Sequence, residues 1–176
     1  MCSDSATCAT TTAAGPSGGT WSVPRSSAEL TLPPRLAELV ETLEGLERGE
    51  RVDALISIAE RFREVPERVA RRPFPEDRRV PGCESQAFVW SVARPDGALD
   101  FHFAVENPQG ISARAMAVIL ADTLAGESAE AIAAVPAEIV ERIFGRELST
   151  GKSLGLAGML QFVQREARRA AARTGG

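Results

Sequence analysis

The sequence predicts an α+β fold, with helices first, then one small antiparallel hairpin, then more helices. Three observations carry this. Apolar residues recur at helical spacing before residue 63 and again after residue 110. Between them, two short runs alternate in polarity on either side of a Pro-Asp-Gly turn. Hydrophobic residues make up 44% of 176 residues, enough for one packed core.

Leu36, Leu39, Val40, Leu43 and Leu46 trace the first helix, and Pro34 suits its first turn. Gly49 is expected to stop it. A second helix over residues 51–62 follows, with Leu55, Ile58, Ala59 and Phe62 on one face. Residues 65–79 are rich in Pro and Arg and read as an ordered loop. Phe88, Trp90 and Val92 then alternate along one strand, and Leu99, Phe101, Phe103 and Val105 along its return. Arg94-Pro95-Asp96-Gly97 supplies the turn between them. His102 is expected to point away from the return strand's apolar face.

Ile111–Leu124 is apolar over a broad face, as for a helix buried against the sheet. Gly126 ends it. Ser128 and Pro136 each open a short helix, the second running to Phe144. Ser149 or Thr150 caps a long final helix. Its stripe is Leu156, Met159, Leu160, Val163, Ala167 and Ala170, and Arg165, Arg168, Arg169 and Arg173 complement its C-terminal dipole.

Residues 1–32 stand apart, with six Ser, six Thr, five Ala and three Gly, and only Asp4, Arg25 and Glu29 charged. Such a segment cannot bury enough surface to offset its ordering entropy, so a disordered tail is expected, with the folded domain over residues 33–176. The tail has no apolar run to serve as a secretory signal or membrane span. A transit peptide to an organelle is the alternative, and the single Arg counts against it. The expected location is the cytoplasm.

Composition excludes several functions. Twenty basic against 24 acidic residues give a net charge of −4, no electrostatic case for nucleic acid. Three Cys, one His and no Tyr are too few for a conventional zinc site or a disulfide framework. Any catalytic triad must run through His102. Cys2 and Cys8 lie in the tail at no recognised metal spacing. Gly151-Lys152-Ser153 fails as a phosphate loop, because five residues rather than four separate Gly145 from Gly151 and a helix precedes it where a strand is required. His102 alone on the polar side of a strand reads as a solvated residue.

The most informative stretch is Val80-Pro81-Gly82-Cys83-Glu84-Ser85-Gln86. It puts Cys83 in a loop before the first strand. Gly82 permits close approach by another molecule, Ser85 offers a nearby hydroxyl, and Arg78 and Arg79 are placed to favour a thiolate. The bland alternative is a buried structural cysteine.

At Gly82-Cys83-x-Ser85 the sequence resembles the SufE family of sulfur acceptors in iron–sulfur cluster assembly. The likeness extends from residue 34 to residue 170 and includes a closing segment, Leu148-Ser149-Thr150-Gly151-Lys152-Ser153-Leu154-Gly155-Leu156-Ala157-Gly158-Met159. The sequence departs from the family pattern in three places. Phe88 stands where Trp is frequent, Lys152 stands for Arg, and Asn107-Pro108-Gln109 stands for Ser-Asp-Ala. The resemblance implies a two-layer SufE-like domain in which a small hairpin-based antiparallel sheet packs against helices. It implies that Cys83 accepts persulfide sulfur from a SufS-like cysteine desulfurase, stimulates that enzyme, and delivers the sulfur to a SufB-like scaffold. Gly82 and Ser85 support the loop, and Lys152 supplies a supporting charge. No metal or cofactor is implied on this chain, since the pyridoxal phosphate belongs to the desulfurase. The protein is then a transpersulfidation partner rather than a stand-alone enzyme, with neither nucleic acid nor membrane among its partners. The resemblance also implies shelter for Cys83 over an apolar patch, for which Phe88, Trp90 and the face of residues 111–120 are the candidates. Two other readings stand beside it. One is a non-catalytic adaptor of the desulfurase, and the other a thiol hydrolase using His102 as base.

Overall fold

The computed structural model describes residues 32–146 and 148–174. The expected tail, with Cys2 and Cys8, lies outside these residues except for Leu32, which packs against the core. The elements run α1 (Pro34–Glu44), α2 (Arg48–Glu60), a 3-10 turn (Glu76–Arg78), β1 (Ala87–Ala93), β2 (Leu99–Val105), α3 (Ile111–Leu124), α4 (Ala129–Ala133), α5 (Ile139–Phe144) and α6 (Thr150–Thr174). The α+β expectation holds.

Pro34 opens α1, and the amide of Gly45 closes it by donating to Glu41 O at 3.1 Å. Gly49 is not the stop. It lies in the first turn of α2, which begins earlier than expected because Glu47 and Glu50 form a reciprocal capping box. Ser128 caps α4, its Oγ accepting the Ala131 amide at 3.1 Å.

Strands β1 and β2 form a two-stranded antiparallel sheet in which Val89 faces Phe103 and Trp90 faces His102. Directly opposed residues share a face. Ala87 and Val89 therefore join Leu99, Phe101, Phe103 and Val105 in the main core, on which α3 and α6 pack. The Phe88–Trp90 set turns the other way. It joins Ala104 and Val65 in a second cluster closed by Val69, Ala70 and Phe74 of the ordered loop. Phe74 meets Phe88 and Trp90 at ring-centroid distances of 5.3 and 5.1 Å. An isolated hairpin is marginal in water, and this one is covered on both faces.

The stripe of α6 is buried as expected from Leu156 to Ala167. Beside it the carboxylate of Glu166, only 5% exposed, accepts from Arg78 at 3.2 Å, Ser91 at 3.0 Å and Arg169 at 2.9 Å. This ties α6 to β1 and to the turn leading into residues 80–86. Among the described residues, no helix is long and apolar enough to cross a membrane.

Candidate functional site

Residues 80–86 form two consecutive turns on top of the hairpin. Pro81 and Gly82 take the central positions of the first, where Pro presets φ and Gly adopts φ +68°. The Cys83 amide donates to Val80 O at 3.4 Å, and the Gln86 amide to Cys83 O at 3.0 Å. Gln86 also has positive φ, +50°, so two left-handed residues bracket Cys83, Glu84 and Ser85. Both ends of the loop are anchored. Val80 N donates to Ala87 O at 2.8 Å, and the amides of Asn107 and Glu106 donate to Ser85 O and Gln86 O, each at 3.2 Å.

The loop rests on a glycine face of α6. Gly151, Gly155 and Gly158 recur at i, i+4 and i+7, one side of a helix. Each makes room for a different part of the loop. A Cβ on Gly158 would lie 3.0 Å from Val80 Cγ1, and one on Gly155 would lie 3.4 Å from both Cα and Sγ of Cys83. One on Gly151 would overlap the Glu84 carboxylate. Across the loop, a Cβ on Gly110 would come within 2.9 Å of Ser85 Oγ. Cys83 is thus 8% exposed and part of the main core.

This arrangement corrects the expected shelter. Phe88 and Trp90 cover the opposite face of the sheet, because alternation turns them away from α6. Shelter comes instead from the glycines of α6, with Ile111 and Ala113 at the start of α3 lining the same cleft. The two arginines expected to favour a thiolate are engaged elsewhere. Arg78 pairs with Glu166 and Asp77, Arg79 pairs with Glu76, and neither lines the cleft.

The cleft has a volume of about 330 Å³ and brings together Cys83, Ser85 and Lys152. Gly82 shapes the turn and does not line it. The Lys152 side chain is exposed, and its amide donates to Ser149 Oγ at 3.4 Å, so Ser149 caps α6. The rim is open to solvent and sets apolar residues beside the exposed Glu84, Gln109 and Lys152. Val52, Ile56 and Ile111 line the cleft at 50%, 38% and 46% exposure, and Leu154 on α6 is 63% exposed. Only Val92 among the other described large hydrophobic residues is comparably exposed.

His102 is not part of this site. It lines a separate cleft of about 380 Å³ with Arg61, Asp100 and Asp122. Burial, then the neighbouring Arg68, holds its pKa below the usual value, against an upward pull from Asp100. The chain has no other histidine, so the cleft around Cys83 has no imidazole base. Among the described residues, no cluster of His, Cys, Asp and Glu could hold a metal ion. Sequence reasoning missed Glu84, Gly110 and the exposed apolar residues of the rim. The spacing of the three α6 glycines was the available signal for the loop's seat.

A search among curated proteins finds no match. Among solved structures, the chain is similar to the solution structure of a hypothetical protein from Thermus thermophilus. Identity is 26% and the TM-score 0.66, over 80% of this chain and 98% of that one. The family model described as SufE, Fe-S metabolism associated domain, matches residues 37–167. That match spans most of the chain and includes the Cys83 loop and its glycine seat, so the protein belongs to the SufE family and has a role in Fe–S metabolism.

Proposed function

We propose that the protein is a sulfur carrier that takes persulfide sulfur from a cysteine desulfurase onto Cys83 and delivers it for iron–sulfur cluster assembly. One observation carries this reading. The chain's only thiol outside residues 1–32 is held on a jointed loop within a cleft whose rim carries exposed apolar residues. Carriage needs a nucleophilic sulfur, shelter between transfers and a surface for docking, and these three coincide here.

The transfer is an exchange at sulfur. The Cys83 thiolate attacks the outer sulfur of the desulfurase persulfide, forming a new S–S bond. The desulfurase S–S bond breaks, and its cysteine leaves as a thiolate and takes up a proton. Cys83 then carries the outer sulfur as its own persulfide. No electrons are gained or lost overall, so the step requires no metal, oxidant or cofactor on this chain. The pyridoxal phosphate that releases sulfur from cysteine belongs to the SufS-like partner. A SufB-like scaffold is the acceptor in the second transfer, and the reducing cytoplasm is the setting that keeps a lone thiol available.

The test is intact mass after incubation with a cysteine desulfurase and cysteine. The expected result is a gain of one sulfur atom that dithiothreitol removes and that Cys83→Ser abolishes. Desulfurase stimulation that survives Cys83→Ser, with no mass gain in the wild type, would establish the adaptor reading instead. The hydrolase reading loses its base, since His102 lines another cleft.

A further inference from the structure

We propose that Glu84 is a positioning residue, a latch that holds Cys83 in its sheltered place by seating its carboxylate on the first turn of α6. Three features converge on this. First, the carboxylate lies so close to Gly151 that a single added methyl group would overlap it. Glu84 is exposed and its side chain flexible, so a methyl group there would push the carboxylate aside, and glycine is what lets it rest on the helix. Second, Gly151 is the second residue of a 25-residue helix. The first-turn amides carry partial positive charge, which favours an anion there. Third, Glu84 directly follows Cys83, and the pair lies between the two left-handed joints at Gly82 and Gln86. Rotation at these joints moves both side chains together. Movement of Cys83 off Gly155 therefore draws the neighbouring Glu84 off Gly151.

The latch deepens the carrier reading by saying what keeps the thiol sheltered between transfers. Its test does not require transfer, so the two readings fail separately. The measurement is the rate of Cys83 alkylation by iodoacetamide, a neutral reagent, in the full-length protein. Rates are compared at a pH where they no longer rise with pH, so that thiol ionisation cancels and only exposure is read.

Glu84→Gln keeps the size and removes the charge. It is expected to alkylate about two- to five-fold faster than wild type at low salt, the range for one charge at a helix terminus. In 1 M salt the wild type is expected to rise to the variant's rate, because the interaction is screened. Gly151→Ala is expected to speed alkylation in the wild type and to have no such effect in Glu84→Ala, where there is no carboxylate to displace. Equal rates for wild type and Glu84→Gln at low salt would overturn the proposal. So would an acceleration by Gly151→Ala of the same size in both backgrounds. Loss of sulfur carriage with these alkylation rates as expected would leave the latch standing and remove the carrier reading alone.

Discussion

Gly155 leaves space that Cys83 fills: a Cβ added to this helix residue would lie 3.4 Å from the thiol sulfur. That distance is ordinary contact, so one methyl group fits and a branched side chain does not. Gly155→Ala is therefore expected to keep Cys83 sheltered and to be neutral or stabilising, by up to about 1 kcal/mol, through helix propensity. Gly155→Val is expected to displace the loop and accelerate Cys83 alkylation well beyond the Ala variant. Alkylation rates and urea midpoints of the two variants check the pair.

Trp90 is a candidate shelter for Cys83 by sequence, and its place on the far face of the sheet makes a clean contrast. Trp90→Ala is expected to cost about 3–5 kcal/mol by emptying the cluster with Phe74 and Phe88. Under conditions where the variant is still fully folded, Cys83 alkylation is expected to remain at the wild-type rate. A large acceleration there would mean that the second cluster supports the thiol after all.

Glu166 anchors the approach to the loop, and its charge is matched to its surroundings. Burial pushes its pKa up, but the Ser91 hydrogen bond, Arg78 and Arg169 outweigh this and hold it below 4.5. A carboxylate with a depressed folded pKa contributes stability above its unfolded value, and that contribution is lost as pH falls through the folded value. Glu166→Gln is thus expected to cost about 2 kcal/mol at neutral pH. The gap between variant and wild type should begin to close as pH drops below 4.5, the ordinary value. Urea unfolding across pH reads this directly.

Leu154 is 63% exposed on α6, next in sequence to Gly155. Leu154→Glu is expected to leave folding stability within about 0.5 kcal/mol, as for other exposed positions. If this exposed part of α6 docks a desulfurase, the same change raises the concentration of this protein needed for half-maximal stimulation. Titration of desulfurase activity, alongside a thermal melt, separates the two effects.

Much of this molecule was legible in the sequence because the signals were local. Helix α3 falls on its expected bounds, and the turn closing at Gly97 forms where Pro95 and Gly97 required it. The second helix starts earlier than expected because its cap is a pair of glutamates, a weaker signal than the nearby glycine. Which face of β1 meets α6 was not legible, since Phe88 and Trp90 look like core residues and the loop that covers them lies earlier in the chain. Cys83 and Lys152 were identified by motif, and the cleft joins them. Glu84 was passed over because its significance depends on Gly151, 67 positions away.

The glycines that receive the loop also have a cost for the helix they belong to. Each lowers helix propensity by about 1 kcal/mol relative to alanine, and three of them fall near the start of α6. With the loop in place that segment is covered and held. With the loop lifted away, it becomes a bare, glycine-rich helix end, prone to fray. Departure of the thiol and loosening of the first turns of α6 are then a single cooperative opening. Amide protons in that stretch should exchange with solvent in step with the appearance of a reactive Cys83.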